Sequence, residues 1–305
     1  MKVNIPPIKV WIWVGLAFCL FQLIVIIYYN KTNNGTEGDR WFSSQLNDIK
    51  SDFTTKSKST YNVIIIGSSL VGNAVECPDE IVNTLVNYPT KNILLKKIWQ
   101  PHDPFESLIT KKNLINELLL IKPDLVCIQT ELAALRYEEI ETFFYTNFQN
   151  YMQDLASKNA TIFKDFLNRY ESDFINCEDN FIDYEVVADT LKYIPAKRYV
   201  KTDTEIKFAF EGINKLIGAG IKVVIVDIPR PQKVEHIMYT KSFLKELNLL
   251  FEMYQRKFGI EHWSYSGRPM YFRDFHDGGH LNKEGRHLFT KDLLGKIVKE
   301  IEHKK

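Results

Sequence analysis

Two short segments near opposite ends of the chain carry residue types suited to acyl chemistry. Gly67-Ser68-Ser69 directly follows an apolar run, and Asp277-Gly278-Gly279-His280 stands just before the last amphipathic stretch. A serine hydroxyl is a weak nucleophile until a base takes its proton, and that base needs a third group to fix its tautomer. Because Asp277 and His280 supply both groups, the two segments predict a serine nucleophile with a histidine base.

The backbone expected around these residues also suits such a site. Gly67 allows a sharp turn, and a serine at the start of the next helix has its hydroxyl beside the free N–H groups of that helix. Those N–H groups can stabilise an oxyanion. After His280, Asn282 is predicted as the N-cap of the final helix.

Each segment alone has an ordinary structural interpretation. Gly-Ser-Ser after a strand is usually a turn with a helix cap, and Asp-x-x-His is a surface turn in most sequences. The functional prediction therefore depends on the combination of a serine directly after the first strand with Asp277 and His280 directly before the last helix.

The elements that must bring the two segments together are short apolar runs alternating with longer amphipathic stretches. The runs are typical of buried parallel strands and lie at 61–66, 92–95, 124–128, 221–226 and 260–263. Helices are predicted over 70–86, 106–121, 138–157, 203–219, 233–258 and 283–303. This β-α-β-α order predicts an α/β fold of three layers, α/β/α, with a central parallel sheet. Ligands bind at the carboxyl ends of such strands.

The first residues predict a membrane anchor. Residues 10–29 carry no charged side chain and one amide, Gln22, over a length that suits a transmembrane helix crossing about 30 Å of hydrocarbon. A cleaved signal peptide is the rival interpretation, but its apolar stretch would run about 7 to 15 residues and end in small residues. Lys2 and Lys9 precede the segment, so the positive-inside rule predicts a single-pass protein with residues 1–9 in the cytoplasm and the remainder extracytoplasmic.

Behind the predicted anchor we expect a linker and one domain. Residues 30–60 are rich in Asn, Thr, Ser, Lys and Asp and predict an extracytoplasmic linker. Residues 61–305 suffice for one core and show no clear second domain. Within them, 159–200 are rich in aromatic and acidic residues and predict a largely helical insertion near the mouth of the site.

Composition excludes several classes of protein. The 305 residues include 39 Lys and Arg against 38 Asp and Glu, without a basic stripe, which argues against a nucleic-acid partner. The four cysteines lack metal-ligand spacing, although Cys77 and Cys177 could pair in an oxidising compartment. His276 and His280 are four residues apart, but the glycines between them would break the helix of a His-Glu-x-x-His zinc site. No metal and no organic cofactor are predicted.

The two segments together resemble the SGNH hydrolase superfamily, also called GDSL-like esterases and lipases. In that family the third residue of a Gly-Asp-Ser block is the nucleophile and the last block is Asp-x-x-His, and the two segments fall at those places. The resemblance implies an SGNH/flavodoxin-like fold over about residues 61–305, with Ser69 as nucleophile, His280 as general base and Asp277 as its orienting carboxylate. The Gly-Ser-Ser variant is similar to the membrane-tethered branch, which acts in D-alanylation of teichoic acids or O-acetylation of surface polysaccharides.

The middle of the sequence departs from the family pattern. The family's second block contributes a glycine N–H to the oxyanion hole and its third block an asparagine amide, but here Gln100 and Gln129 follow the second and third strands. Gln100 and Gln129 are therefore candidate oxyanion donors beside the Ser69 N–H. Losing one donor typically costs about 100- to 1000-fold in turnover. Arg230, after the fourth strand, is a candidate grip for an anionic substrate group, with a solvated loop arginine as the alternative.

These observations lead to two hypotheses. The first is a membrane-anchored serine esterase or O-acyltransferase that acts outside the cytoplasm on acyl esters of a cell-surface glycan. By family analogy, a multi-span membrane O-acyltransferase is its expected partner. The second hypothesis, motivated by the altered middle blocks, is a catalytically inactive partner or glycan-binding module on the same fold.

Overall fold

The computed structural model describes residues 9–14, 16–17, 20, 37–55, 59–86, 88, 92–100, 105–110, 112–137, 198–276 and 279–303. The chain divides into two compact units, Met1–Ser44 and Gln45–Lys305. In the first unit the described residues are helical. The second unit contains the sheet and both segments that carry candidate chemistry.

Strands and helices alternate along the described chain. The strands are β1 (Tyr61–Gly67), β2 (Ile93–Trp99), β3 (Leu125–Gln129), β4 (Leu135–Tyr137), β5 (Arg198–Val200), β6 (Lys222–Val226) and β7 (Glu261–Trp263). The helices are α1 (Glu37–Thr55), α2 (Ser69–Ala74), α3 (Pro78–Leu85), α4 (Phe105–Thr110), α5 (Leu114–Ile121), α6 (Thr130–Ala134), α7 (Asp203–Gly218), α8 (Gln232–Met238), α9 (Lys241–Phe258) and α10 (Lys283–His303). A 3-10 turn covers Phe272–Asp274.

The main sheet has five parallel strands in the order β2-β1-β3-β6-β7. All five predicted strands are confirmed, because continuous apolar runs suit strands that are covered on both faces. The central strands are the most deeply buried, with Ile64–Ile66 of β1 and Val126–Ile128 of β3 fully inaccessible. The chain leaves β1 toward β2 and later returns to the other side of β1. The carboxyl ends of β1 and β3 therefore flank the topological switch point, where ligands bind in such sheets.

The helices form two groups that cover the sheet. In one group α10 packs against α2 and α3, and in the other α7 packs against α4 and α5. Since parallel crossovers are right-handed, helices on connections that run in opposite directions along the sheet lie on opposite faces. The predicted α/β fold with a central parallel sheet is confirmed, and the two groups of helices are those expected of an α/β/α arrangement.

Three stretches predicted as single helices are each divided into two, namely 70–86, 106–121 and 233–258. Pro78 begins α3, because proline lacks the N–H that would continue α2 but is suited to the first helical position. Asn113 takes a left-handed backbone conformation (φ 53°) before α5. Thr240 caps α9 by accepting the Phe243 N–H at 3.3 Å. The helix predicted over 138–157 lies outside the described residues.

Within the predicted linker at 30–60, residues 37–55 form the helix α1. Phe42, Leu46 and Ile49 of this helix are buried and recur at helical spacing, a short apolar period that the surrounding polar residues obscure. Within the second unit, the Gln45 side chain pairs with the backbone of Trp99, donating to its O at 3.0 Å and accepting from its N at 3.0 Å. The sheet-containing unit thus begins at Gln45, before the predicted boundary at residue 61.

Two sequence predictions fall mainly outside the described residues. Of the insertion at 159–200, the structure describes only the end, where β5 pairs antiparallel with β4. The predicted anchor at 10–29 is described in part. Within the portion of the chain that the structure describes, no helix is both long and apolar enough to cross a membrane.

Candidate active site

The turn after β1 presents two serines at the start of α2. Ser68 is the N-cap of α2 and Ser69 its first residue. We call residues 67–70 the serine turn. Gly67 is required there because a Cβ would lie 2.0 Å from Cγ2 of Val71 and 2.4 Å from Oε1 of Gln129. The missing side chain at Gly67 lets the helix and the end of β3 approach the turn closely.

The structure brings Ser69 and His280 together from positions 211 residues apart. Oγ of Ser69 lies 2.9 Å from Nε2 of His280, and both residues are half-buried. With the imidazole proton on Nδ1, the Ser69 hydroxyl donates to Nε2, as a nucleophile and its base require. As the first helical residue, Ser69 also has a backbone N–H without an intrahelical acceptor. This pair can perform nucleophilic acyl chemistry.

Ser68 has a structural environment instead. Its N–H and its hydroxyl both donate to Oε1 of Gln129, at 2.8 and 3.1 Å. Its Oγ in turn accepts the Leu70 N–H at 3.3 Å. The two adjacent serines are thus distinguished by their contacts, and Ser69 is the one whose hydroxyl meets the imidazole.

His280 is carried by the segment 268–285, which we call the histidine loop. Phe275 and Leu281 form an isolated antiparallel bridge, and the His276 N–H donates to the His280 carbonyl at 2.9 Å. The rings of His276 and His280 are nearly parallel, with centroids 5.4 Å apart. Asp277, predicted to orient His280, lies outside the described residues, as does Gly278. The role of Asp277 therefore stays a prediction.

An ion pair between a partly exposed arginine and a buried carboxylate holds the entry to the histidine loop. Arg268 donates from Nη1 and Nη2 to the two carboxylate oxygens of Asp274, at 2.8 and 2.7 Å, and the Tyr271 N–H donates to Oδ2 at 2.8 Å. Asp274 is completely buried. Burial alone would raise its pKa, but the Arg268 and Tyr271 hydrogen bonds outweigh it and hold the pKa below its usual range. The hydrogen bonds to Asp274 and its negative charge raise the pKa of Arg268 despite partial desolvation.

The exit of the histidine loop is fixed by the start of α10. The predicted N-cap is confirmed, because Oδ1 of Asn282 accepts the Gly285 N–H at 3.1 Å. Its Nδ2 donates to the Arg273 carbonyl at 2.7 Å, and its own N–H donates to the Asp274 carbonyl at 3.0 Å. Gly285 is needed because a Cβ would lie 2.2 Å from the Asp274 carbonyl oxygen. His280 is therefore held between two anchored ends.

A lysine supports the helix that begins with Ser69. Nζ of Lys97, on β2, donates to the carbonyls of Gly72 and Val75 at the end of α2, at 2.6 and 3.2 Å. Burial, together with the positive charge of Arg286, lowers the pKa of Lys97 to about 8. The ammonium satisfies carbonyls that a helix end leaves without partners.

The two predicted oxyanion candidates lie beside the serine turn but have partners of their own. The Gln100 N–H donates to the Gly67 carbonyl at 3.1 Å, and its Oε1 accepts from Nζ of Lys112 at 2.5 Å. Gln129 accepts from Ser68 and donates from Nε2 to Oε2 of Glu131 at 2.9 Å. Whether either amide donates to an oxyanion stays a prediction.

Arg230 is not solvated, so the alternative of a loop arginine in water is wrong. It is only 8% exposed, and its Nε and Nη2 donate to Oε1 of Glu131 at 3.3 and 3.0 Å. Sequence reasoning missed Glu131, Ser68 and the Arg268–Asp274 pair. Glu131 stands two residues after Gln129 and was visible as a charge at the end of a buried strand. Its pairing with Arg230 depends on the order of the strands in the sheet, which cannot be read from the sequence.

Metal-ligating groups and cysteines are the other candidates for chemistry. Among the described residues, no group of three His, Cys, Asp or Glu side chains could hold a metal ion. Cys77 is disulfide-bonded. Its predicted partner, Cys177, lies outside the described residues, so the pairing of Cys77 with Cys177 stays a prediction. Cys127 is a free thiol buried in β3.

Comparisons with known proteins find similarity in structure alone. No protein-family model matches the chain, and no curated protein matches it significantly. Solved structures similar to it include a catalytic mutant of an acetylxylan esterase from Geobacillus stearothermophilus, with 11% identity and a TM-score of 0.42 over 79% of this chain and 96% of that chain. A GDSL-like lipase from Bacteroides thetaiotaomicron is 11% identical, with a TM-score of 0.39 over 84% of this chain and 98% of that chain.

A lipase/acylhydrolase from Enterococcus faecalis is 13% identical, with a TM-score of 0.40 over 79% of this chain and 97% of that chain. With TM-scores below 0.5, these likenesses do not establish the chemistry of this chain. Its chemistry must be inferred from its own residues.

Proposed function

We propose that the protein is a serine esterase or acyltransferase that works through an acyl-enzyme on Ser69. The observation that carries this proposal is the 2.9 Å contact between Oγ of Ser69 and Nε2 of His280 at the carboxyl edge of a parallel sheet. It joins a hydroxyl at a helix N-terminus to a base at the topological switch point, where ligands bind.

The proposed reaction has two halves. His280 takes the Ser69 proton while Oγ bonds to the acyl carbon, and the ester C–O bond then breaks as His280 returns the proton to the leaving alcohol. In the second half, water or a sugar hydroxyl gives its proton to His280 and attacks the acyl-serine. Oγ leaves with that proton, which regenerates Ser69. Asp277 is proposed to hold His280 in the tautomer protonated on Nδ1.

The negative charge of the tetrahedral intermediate requires donors near Ser69. The Ser69 N–H is one proposed donor, since it lies in the first turn of α2, where the helix dipole favours an anion. The side-chain amide of Gln100 is the second proposed donor. Gln100 directly follows β2, its backbone N–H donates to the Gly67 carbonyl, and Lys112 fixes the side-chain amide by donating to its oxygen. Gln129 is a weaker candidate because its Nε2 already donates to Glu131.

The proposed setting is the outer face of a membrane, with residues 10–29 as the anchor and surface-glycan acyl esters as substrates. The uncharged composition of 10–29 supports the anchor, as does the exposure of its described apolar residues, Trp11 and Trp13 among them. The disulfide at Cys77 supports an oxidising compartment. The glycan, acetyl transfer and a multi-span acyltransferase partner rest on the family resemblance.

The test is covalent labelling of the purified full-length chain. A fluorophosphonate should phosphonylate Ser69, with fluoride leaving and the hydroxyl proton passing to His280, and p-nitrophenyl acetate should be hydrolysed. Ser69→Ala should abolish both reactions. Ser68→Ala is the matched control, because the label should still be found on Ser69 by mass spectrometry.

The outcomes separate the two hypotheses from the sequence. If the wild-type protein takes no label and hydrolyses no ester while its fold is intact, the inactive-partner hypothesis replaces the catalytic one. Label on a residue other than Ser69 would refute this assignment of the nucleophile.

A further inference from the structure

Three buried polar side chains form a continuous line from β6 to the serine turn. Gln129 is 0% exposed, Glu131 4% and Arg230 8%. Arg230 donates twice to Oε1 of Glu131, Oε2 of Glu131 accepts from Nε2 of Gln129, and Oε1 of Gln129 accepts from Ser68. The Arg230 N–H donates to Glu235 at 3.2 Å, which holds the outer end of the line. Buried polar groups at the ends of three strands are thus satisfied together.

The charges in this line decide which way the Gln129 amide points. The two ends of an amide have nearly the same shape, so its neighbours must select between them. On one side the Ser68 N–H needs an acceptor, and on the other the Glu131 carboxylate needs a donor. A reversed amide would lose the hydrogen bonds on both sides. The ionised Glu131, held by Arg230, therefore fixes the amide with its oxygen toward Ser68.

Orientation of the amide is transmitted directly to Ser69. Gln129 fixes the N–H and the hydroxyl of Ser68, and Ser68 is the N-cap that sets where α2 begins. A displacement of the reacting atom by about 1 Å can cost about 100-fold in rate. A buried ion pair contributes little net stability compared with apolar side chains of the same size. What Arg230 and Glu131 supply better than apolar residues is a fixed direction for Gln129.

We infer that Arg230, Glu131 and Gln129 are positioning residues, which hold the serine turn so that the Ser69 hydroxyl faces His280. This inference rests on the proposed function, because it takes Ser69 as the nucleophile. It gives Arg230 and Gln129 a role through Ser68 rather than a direct contact with substrate. The two roles differ in their kinetic effect, since a substrate grip changes KM for anionic substrates and positioning changes kcat for neutral ones.

The experiment uses the full-length chain with p-nitrophenyl acetate, which is small and neutral, and with a fluorophosphonate. Glu131→Gln should lower kcat and the rate of labelling by about 10-fold or more, with KM within about two-fold of the wild-type value. Arg230→Met combined with Glu131→Gln removes both charges, leaves no unpaired ion, and should be equally slow. Arg230→Lys keeps a charged donor and should retain most of the rate.

A control variant breaks an ion pair at the opposite end of the sheet. Lys222, at the start of β6, pairs with Glu261 at 2.5 Å, so Glu261→Gln should leave kcat and KM unchanged. Unfolding in urea, followed by circular dichroism, confirms that each assayed variant is folded.

The outcomes distinguish this inference from the proposed function. If folded Glu131→Gln and the charge-free double variant label Ser69 at the wild-type rate, the positioning role is refuted and the nucleophile is retained. A rise in KM with kcat unchanged would refute the positioning role as well. If wild-type protein takes no label and hydrolyses no ester, the proposed function fails, and this inference fails with it.

Discussion

The serine turn and the histidine loop meet at one hydrogen bond but are held in place in opposite ways. The histidine loop is held by neighbours in sequence, since Arg268 binds Asp274 six residues away and Asn282 binds the carbonyl of Arg273 nine residues away. The serine turn is held by residues far along the chain, because Ser68 binds Gln129 across 61 residues. One half of the site is thus a local motif, and the other half exists only once the sheet has assembled.

This difference separates the forces that stabilise the two halves. The histidine loop depends on an ion pair between a buried carboxylate and a partly exposed arginine, whereas the serine turn depends on a neutral amide backed by a pair in which both side chains are buried. Disruption of the loop should therefore reduce stability and activity together. Around the turn, removal of both charges in the double variant Arg230→Met and Glu131→Gln leaves no unpaired buried ion and should therefore reduce activity more than stability.

The largest expected effect tests whether the two halves act as one unit. Ser69→Ala and His280→Ala should each lower kcat for p-nitrophenyl acetate by about 10⁴-fold or more, because neither group works without the other. The double variant should lose no more than either single variant. Losses that multiply in the double variant would show that Ser69 and His280 act independently.

The next effect concerns the anchor of the histidine loop. Arg268→Leu leaves the buried Asp274 carboxylate without its main partner and should lower the free energy of unfolding by about 3 kcal/mol, the lower end for one-sided loss of a buried pair. The lower end applies because Arg268 is 32% exposed. Urea denaturation measures the loss, and activity should fall with it.

Arg256→Leu is the matched control for Arg268→Leu. Arg256 and Glu252 form an exposed pair at helical spacing in α9, and such pairs contribute less than about 0.5 kcal/mol. Equal losses in the two variants would mean that the pair at Asp274 has no special part in holding the loop.

The two halves should respond to pH in the same direction but in different windows, because the folded-state pKa of Asp274 and that of Lys97 both lie below the unfolded-state values. Asp274 has a lowered pKa in the folded state, so its stabilisation is present above its unfolded-state pKa of about 3.8 and is lost as the pH falls through the folded value. Lys97 titrates at about 8 in the folded protein instead of 10.5, so unfolding takes up a proton between these values and stability rises with pH across that window.

Each of these groups contributes at most about 1.4 kcal/mol per pH unit to the slope. We therefore measure the free energy of unfolding in urea as a function of pH. The acid-side slope of the wild-type profile should be absent from Asp274→Asn, and its alkaline-side slope should be absent from Lys97→Met. If the stability of a variant changes with pH as that of the wild-type protein does across the window of the substituted group, the lowered pKa assigned to that group is contradicted.

The smallest expected effect is the loss of a helix cap. Asn282→Ala removes the N-cap of α10 and should cost about 1 kcal/mol of stability. Thr240→Ala removes the N-cap of α9 at a similar cost and serves as the control. Only Asn282→Ala should lower kcat, since its side chain also binds Arg273 within the histidine loop. Equal kcat values in the two variants would show that Asn282 does not help to position His280.

Sequence patterns predicted the fold well wherever a signal was local and repeated. The strands appear as apolar runs because their faces are covered by helices, and Asn282 appears as a cap because capping depends on the next three residues. The breaks at Asn113 and Thr240 lie inside stretches that were predicted as single helices. The helix at 37–55 was missed, since its short apolar period is easily masked by polar neighbours. For Gln129, the strand position was visible, but its partners were not.

The sequence by itself determined which chemical groups are available and where each begins or ends an element. Ser69 follows a strand, His280 stands in a glycine-containing turn before a helix, and the α/β alternation requires a parallel sheet. The tertiary structure alone decided that β1 lies between β2 and β3, which places Gln129 against Ser68. It also decided that Arg230 faces Glu131 in a buried pair. The physical reason is that hydrogen bonds between strand ends depend on strand order and register, and these are set by packing of the whole core rather than by any local run of residues.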